Sequence, residues 1–348
     1  MHMPHHGISH DDGDQILILI PLFNDWDASR LLLAQLDETL GQTGRTADVL
    51  IIDDGSTLPR DSGYPGPSFH AIRQIEVLAL RRNLGHQRAI AVGLAYVEQH
   101  RPCRVVVLMD SDGEDAPADV PRLLAKFEEE GEAKIIFAER TRRSESWVFV
   151  VFYTLFKILH VLLTGQGVRV GNFSVIPRDR LSSLVVVSEL WNHYPAAVFR
   201  SRQPLAMVPT QRGKRLMGQS QMNFTRLVVH GLSALSVYSD IIGVRLLLGS
   251  MALIGVAGLG LLTVLGIRLT TTLAIPGWAT NSFGLILVIL LQAMMFSVIF
   301  SFIILGGRQG SSFLPCKGYV DYIGKITTVH EGSSPAPAVG PVEPVREP

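Results

Sequence analysis

Two carboxylates, Asp110 and Asp112, stand where an apolar run, Val105-Val106-Val107-Leu108-Met109, comes to an end. Extended backbone projects residues i and i+2 to the same side, so the pair converges at a strand end. Charges of one sign held that close repel, and a divalent cation relieves the repulsion. Carboxylate oxygens suit Mg²⁺ or Mn²⁺, ions that keep several waters and complete their coordination with substrate phosphate oxygens. Glu114 and Asp115 follow directly, and Glu114 is a third candidate ligand. A solvated acidic loop is the plainer reading of Asp-x-Asp alone. A second acidic end argues against it: residues 49–52, Val-Leu-Ile-Ile, run into Asp53-Asp54-Gly55-Ser56. A third apolar run, residues 16–20, leads into Pro21-Leu22-Phe23-Asn24-Asp25. Ligands of open α/β sheets sit beyond the carboxyl ends of the strands, so three such ends predict one nucleotide site.

The elements that position these residues follow from periodicity. Strands are expected near 16–20, 49–52, 75–80, 104–109 and 134–138, and helices near 28–40, 86–99 and 118–130. Alternation of this kind predicts an α/β fold with a doubly wound, mostly parallel sheet. Residues 57–70, with Pro59, Gly63, Pro65, Gly66 and Pro67, read as a loop. Neither Gly-x-Gly-x-x-Gly after the first strand nor Gly-x-x-x-x-Gly-Lys occurs, which argues against a dinucleotide-binding Rossmann domain and a P-loop NTPase. Arg81 to Arg88 spans the start of a helix, a natural seat for phosphate oxygens; His86 there reads as a packed or solvated helix-start residue rather than a base. Arg140, Arg142 and Arg143 are either solvated charge or an anion clamp. Residues 211–220 form a basic, glycine-punctuated loop, and residues 171–174 read as a tight turn before Pro177.

Four motifs, Pro21-x-x-Asn24-Asp25, Asp53-Asp54-Gly55-Ser56, Arg82-Asn83-x-Gly85 and Asp110-x-Asp112-x-Glu114-Asp115-x-Pro117, occur in the order seen in family 2 glycosyltransferases. Over roughly residues 15–325 the chain resembles these inverting GT-A-fold enzymes, and most of all the polyprenyl-phosphate sugar synthases. The resemblance implies a nucleotide-sugar donor, with base and ribose held by Pro21, Asn24, Asp53 and Asp54, and with Asp25, Arg82, Asn83 and Asp110 on the donor side. It implies Mg²⁺ or Mn²⁺ on Asp110, Asp112 and Glu114, and a polyprenyl phosphate acceptor met by Arg140. Arg212, Arg215 and Ser220 match the Arg-x-x-Gly-x-Ser lid of the synthases, a mobile basic loop suited to a doubly anionic site. A phosphate acceptor is already anionic and needs little general-base help. The alternative, transfer to a glycan or glycolipid hydroxyl, would need a carboxylate base, and Asp115 is the candidate. At Asn172 the family often carries an acidic residue. A non-catalytic membrane scaffold on the same fold would be marked by loss of the metal carboxylates, which are present. The family also allows a homo-oligomer.

Composition sets the frame. The 348 residues exceed one ordinary domain, and 31 basic against 31 acidic residues give no bulk charge for nucleic acid. Two cysteines, Cys103 and Cys316, lack metal-ligand spacing and predict no disulfide framework. Residues 1–14 have no apolar run and read as a disordered N-terminus, followed by a catalytic domain at 15–221 and a juxtamembrane helix at 222–245. A transmembrane hairpin is expected at 246–307, with spans at 246–267 and 283–305 joined by a short polar loop over 270–282, then a tail at 308–348 that is disordered from 329. Residues 147–163 read as an amphipathic helix on the bilayer surface. Lys214, Arg215, Arg226 and Arg245 precede the hairpin and Arg308, Lys317 and Lys325 follow it. By the positive-inside rule both termini and the catalytic domain are cytoplasmic, in an integral inner- or plasma-membrane protein.

Overall fold

The computed structural model of the protein describes residues 15–66, 68–140, 158–165, 170–218, 224–271, 277–309 and 313–332. They fall into two compact units, one built on a sheet and one on apolar helices.

The sheet unit has eight strands: β1 (Ile16–Leu22), β2 (Ala47–Asp53), β3 (Ile72–Leu80), β4 (Val105–Leu108), β5 (Ile135–Arg140), β6 (Val170–Pro177), β7 (Leu205–Thr210) and β8 (Ile323–Glu331). Their order is β7-β5-β6-β4-β1-β2-β3-β8. β4, β1, β2 and β3 run parallel, whereas β6 lies antiparallel to β4 and β5, and β8 antiparallel to β3. The expected doubly wound, mostly parallel sheet is present. Its central strands read as unbroken apolar runs because both faces are covered. Ile16, Ile18 and Ile20 face one core with the helices α1 (Trp26–Gln42) and α3 (Val120–Glu129). Leu17 and Leu19 face the other, with α2 (His86–His100).

Two stretches depart from the sequence reading. Residues 171–174 are the start of β6 instead of a tight turn, and Phe173, Ser174, Val175 and Ile176 are buried in it. Gly, Asn, Ser and Pro favour turns locally, but register with β4 and β5 on either side overrides that preference. The second stretch lies in the expected tail. Ile323–Glu331 closes the edge of the sheet on β3, so this part of the expected tail is a strand, and the sheet takes strands from before and after the apolar helices in sequence. The strand β7 was likewise not expected.

In the helical unit, Ser239–Thr270 and Trp278–Gln309 are each 32 residues long, about 48 Å of helix. The expected spans lie inside them, and the connecting loop is shorter than 270–282 because helix resumes at Trp278. Gly243, Ser250, Ala257 and Val264 are the buried residues of the first helix. They recur every seven positions, a seam of mostly small side chains that lets two backbones approach; Ser250 Oγ meets Ser297 Oγ of the second helix at 2.6 Å. Large apolar side chains such as Leu248, Val256, Leu262, Leu285 and Phe302 are exposed instead. Residues 158–164 are helical, and Arg245 donates to the Leu162 carbonyl at 2.8 Å, a cation on a helix C-terminus. The rest of the surface helix expected at 147–163 lies outside the described residues. Within the stretch expected as one juxtamembrane helix at 222–245, Phe224–Ser236 is helical and residues from Ser239 onward belong to the first apolar helix.

Candidate active site

The strand ends gather the acidic residues as expected. Asp25 follows β1, Asp53 ends β2, and Asp110 lies two residues beyond β4. The winding reverses between β1 and β4, which pair with Leu19 beside Leu108, and a crevice opens at such a switch point.

On the β1–β2 side the loops are tied to one another. Asn24, at φ 59°, accepts the N–H groups of Thr57 and Leu58 on Oδ1 at 2.8 and 2.9 Å. Asp53 Oδ1 accepts the Ser56 N–H at 2.9 Å. Asp54 is buried, and its two oxygens accept the N–H groups of Leu84 and Gly85 at 2.7 and 2.9 Å. Burial raises its pKa against the pull of those two N–H groups. Asn83 Nδ2 donates to the Asp54 carbonyl at 3.0 Å. Gly55 has φ 68°, and a Cβ there would stand 2.6 Å from the Asn83 nitrogen, so only glycine lets these loops meet. Pro21 is buried within β1 beside Ile52. Arg82 is exposed, its guanidinium 6.0 Å from the Tyr322 ring centroid. Asp54 and Asn83 therefore shape the 83–85 turn.

Across the crevice the acidic loop after β4 carries the basic loop after β7. Leu216 N–H donates to the Asp112 carbonyl at 2.9 Å and Gly213 N–H to the Glu114 carbonyl at 2.8 Å. Gly113 has φ 83°, and a Cβ there would lie 2.4 Å from Leu216 Cγ. Arg215 spans two strand ends: Nη1 donates to Asp112 Oδ2 at 2.9 Å, and Nη2 to Asp25 Oδ1 and Oδ2 at 2.8 and 2.7 Å. Arg212 Nε donates to Glu114 Oε2 at 2.9 Å, and its Nη2 reaches the same oxygen. Burial and the neighbouring Asp110 raise the Asp112 pKa, partly offset by the Glu114 N–H and Arg215. A cleft of about 520 Å³ opens beside this loop, lined in part by Arg122, Thr210, Gln211 and Arg212.

The three expected metal ligands are not drawn together. Among the described residues no three His, Cys, Asp or Glu side chains converge as a metal site. Glu114 is turned to Arg212, and Arg215 holds the Asp112 oxygen that a cation would take. Asp110 and Asp112 still offer the one or two carboxylates that Mg²⁺ or Mn²⁺ uses beside phosphate and water, so the donor set fits the cation through that pair rather than the triad. Asp115 is 3% exposed, and its Oδ2 accepts the Asp110 N–H at 3.0 Å. It shapes the loop and is poorly placed as a base.

Sequence reasoning named His86 and Asn172 but did not join them to Asp110, and it missed Gln87. His86 Nε2 lies 3.1 Å from Asp110 Oδ1 and 2.9 Å from Asn172 Nδ2, and Asn172 Nδ2 is 3.4 Å from Asp110 Oδ1. Partial desolvation pulls the His86 pKa down, but its side chain is 42% exposed and the carboxylates of Asp110, Asp115 and Asp54 make the net shift upward. Gln87 is buried and donates to Asn172 Oδ1 at 3.1 Å. A buried glutamine in an otherwise apolar helix face was the available signal. Arg140 ends β5; Ser220, Arg142 and Arg143 lie outside the described residues.

Residues 17–182 match the sequence profile of glycosyl transferase family 2. Over these residues the chain carries a glycosyltransferase sequence, that of an enzyme. Solved structures similar to the chain include glucosyl-3-phosphoglycerate synthase from Mycobacterium tuberculosis in complex with Mn²⁺, uridine diphosphate and glucosyl-3-phosphoglycerate. It is 14% identical over 70% of this chain and 86% of its own, with a TM-score of 0.46. Mannosyl-3-phosphoglycerate synthase from Rubrobacter xylanophilus is 13% identical over 65% of this chain and 73% of its own, with a TM-score of 0.45.

Proposed function

We propose that this glycosyltransferase is a membrane-anchored, inverting enzyme that moves a sugar from a nucleotide-sugar to a polyprenyl phosphate at the cytoplasmic leaflet. One observation carries the choice of acceptor. Asp115, the carboxylate expected to serve as a base, is 3% exposed and holds the Asp110 N–H, an engagement that does not depend on the basic loop. Asn172, an amide, stands beside Asp110 itself. A hydroxyl acceptor needs a carboxylate to take its proton, whereas a phosphate oxygen arrives ionised.

In this reading Asp53 and Asn24 face the base and ribose, on a floor that Asp54, Asn83 and Pro21 hold in place, with Arg82 at its rim. Asp110 and Asp112 would hold Mg²⁺ or Mn²⁺, which neutralises the diphosphate leaving group. Arg215 leaves Asp112 and Asp25 as donor enters, and with Arg212 and Ser220 it closes over the anionic reactants. Arg140 meets the acceptor phosphate. Catalysis then rests on alignment and charge neutralisation.

Anchoring is supported by two helices of lipid-spanning length whose large apolar side chains are exposed. The strand pairing of β8 with β3 supports the topology. Segments before and after the two helices share one sheet, which supports one common side for both flanks, and the basic residues in those flanks support the cytoplasmic side.

The test is transfer from a panel of radiolabelled nucleotide-sugars in membranes containing the protein, with and without EDTA. Label is expected in a mild-acid-labile lipid fraction and lost with EDTA. Label in a larger glycan instead would overturn the acceptor assignment.

A further inference from the structure

Behind Asp110 a chain of amides has its direction fixed at one end. Tyr194 is the first residue of a helix, Tyr194–Arg200, and first-turn N–H groups have no partner within their own helix. The Tyr194 N–H donates to Gln87 Oε1 at 2.6 Å. A backbone N–H can only donate, so the Gln87 oxygen must face it and its NH₂ must face away. That NH₂ donates to Asn172 Oδ1 at 3.1 Å. With its oxygen engaged, Asn172 turns its own NH₂ towards Asp110 Oδ1, at 3.4 Å, and His86 Nε2, at 2.9 Å. Both relay side chains are 9% exposed, and the Tyr194 ring is anchored from below through its hydroxyl to Ser174 Oγ at 2.7 Å. From the other side the Asp115 carboxylate holds the Asp110 N–H.

We infer that Gln87 and Asn172 are positioning residues, a two-amide relay that transmits the polarity of the Tyr194 N–H to Asp110 and presents it with a fixed donor. The inference rests on the reading of Asp110 as a donor or cation ligand. The relay gives Asn172 a reason to be an amide: an acid there would set a second carboxylate against Asp110, whereas the amide holds Asp110 without adding charge. It also separates Gln87 from a residue that merely fills space, because the relay depends on the order of oxygen and nitrogen and not on volume.

Three variants of the full-length protein in nanodiscs test this. Gln87→Glu still accepts from Tyr194 but offers Asn172 no NH₂, so the Asn172 amide turns its oxygen onto Asp110. Gln87→Met removes the instruction without reversing it. Asn172→Asp replaces the donor itself. The expected order of loss is Gln87→Glu and Asn172→Asp, each about 10–100-fold in kcat as for other groups that orient a metal-site ligand, then Gln87→Met, with donor KM little changed. Mn²⁺ titration of each protein by EPR, without donor or acceptor, is expected to follow the same order. A purely structural role predicts the reverse at position 87, since methionine loses the Tyr194 contact that glutamate keeps. Gln87→Met as damaging as Gln87→Glu, or unchanged kcat and Mn²⁺ affinity in all three, would overturn the relay. Should Gln87→Glu not fold, Asn172→Asp against wild type decides by the same two readouts. Absence of lipid transfer by the wild-type protein would sink the acceptor reading and leave the Mn²⁺ comparison standing.

Discussion

The two edges of the central sheet carry similar charges and use them differently. At the edge where the parallel strands begin, Asp48 of β2 meets Gln15, Arg73 of β3 at 3.3 Å and Arg101 at 3.5 Å, and Arg101 also holds Glu76 of β3 at 2.6 Å. At the edge where they end, Arg215 holds Asp112 and Asp25, and Arg212 holds Glu114. Both are arginine–carboxylate clusters in which one arginine, Arg101 or Arg215, is largely covered and the other, Arg73 or Arg212, is exposed. The difference lies in what carries the arginines. Arg73 sits in a strand and Arg101 caps α2, so neither can leave without breaking the sheet or the helix end. Arg212 and Arg215 belong to residues 211–218, which form no helix or strand. The same kind of ion pair is fixed by regular structure on one edge and carried by a loop on the other, where the proposed function makes it a removable plug.

Isosteric neutralisation separates the edges most sharply. Asp112→Asn is expected to lower transfer at least about 100-fold, in the range of losing a group that meets transition-state charge, while the melting temperature stays near wild type. Arg101→Met reverses the pattern: leaving Asp48 and Glu76 without their shared partner should cost about 3 kcal/mol, as when one half of a buried pair is removed. Urea unfolding measures that loss, and kcat of the folded fraction should be unchanged. Equal effects of these two substitutions on activity and stability would erase the distinction between the edges.

Arg215→Ala removes the plug. Mn²⁺ binding without donor, followed by EPR, should tighten about tenfold, a shift of about 1.4 kcal/mol, while transfer falls because the lid has lost its cation. Weaker Mn²⁺ binding in this variant would mean that Arg215 supports the site and does not compete for it.

Asp48→Asn is the milder counterpart of Asp112→Asn. Burial raises the Asp48 pKa more than Arg73 and Arg101 lower it, so the ionised form is the costly one in the fold. The native state then binds this proton at higher pH than the unfolded chain. Its contribution to stability is present at low pH and declines as pH rises through the window above the unfolded carboxylate value. Asp48→Asn should therefore cost under about 1 kcal/mol at pH 7, and the variant should lose that part of the pH dependence in urea melts. The smallest effect is a labelling rate. Cys103, two residues past Arg101, is buried and its thiol is pushed up to about 11, whereas Cys316 is half-buried. Thiol reagents at pH 8 should modify Cys316 first, and rapid labelling of Cys103 would show that the beginning edge opens after all.

Much of the site was legible in sequence because its parts are local. A strand that ends in acids announces itself through the change from β-branched residues to aspartate, as at Val105–Leu108 followed by Asp110. The two apolar helices were legible for the same reason: hydrocarbon thickness sets a length, and composition meets it. The partnerships were not legible. Arg215 lies 103 residues from Asp112 and 190 from Asp25, and nothing in either loop says that they meet. Asp115 looked as free as Asp112 in the sequence, yet one points into the loop and the other towards Arg215.

The amino-acid sequence by itself determined the parallel strands, their acidic ends, the helices between them and the length of the apolar pair, since each follows from periodicity or from side-chain chemistry over a few residues. Only the tertiary structure decided that the turn-forming residues at 171–174 become a strand, that Ile323–Glu331 returns to pair with β3, and that Gln87 and Asn172 stand behind Asp110. These are pairings between distant segments, and a segment's own preference is too weak to fix a partner that only burial and hydrogen-bond satisfaction in the assembled sheet can select.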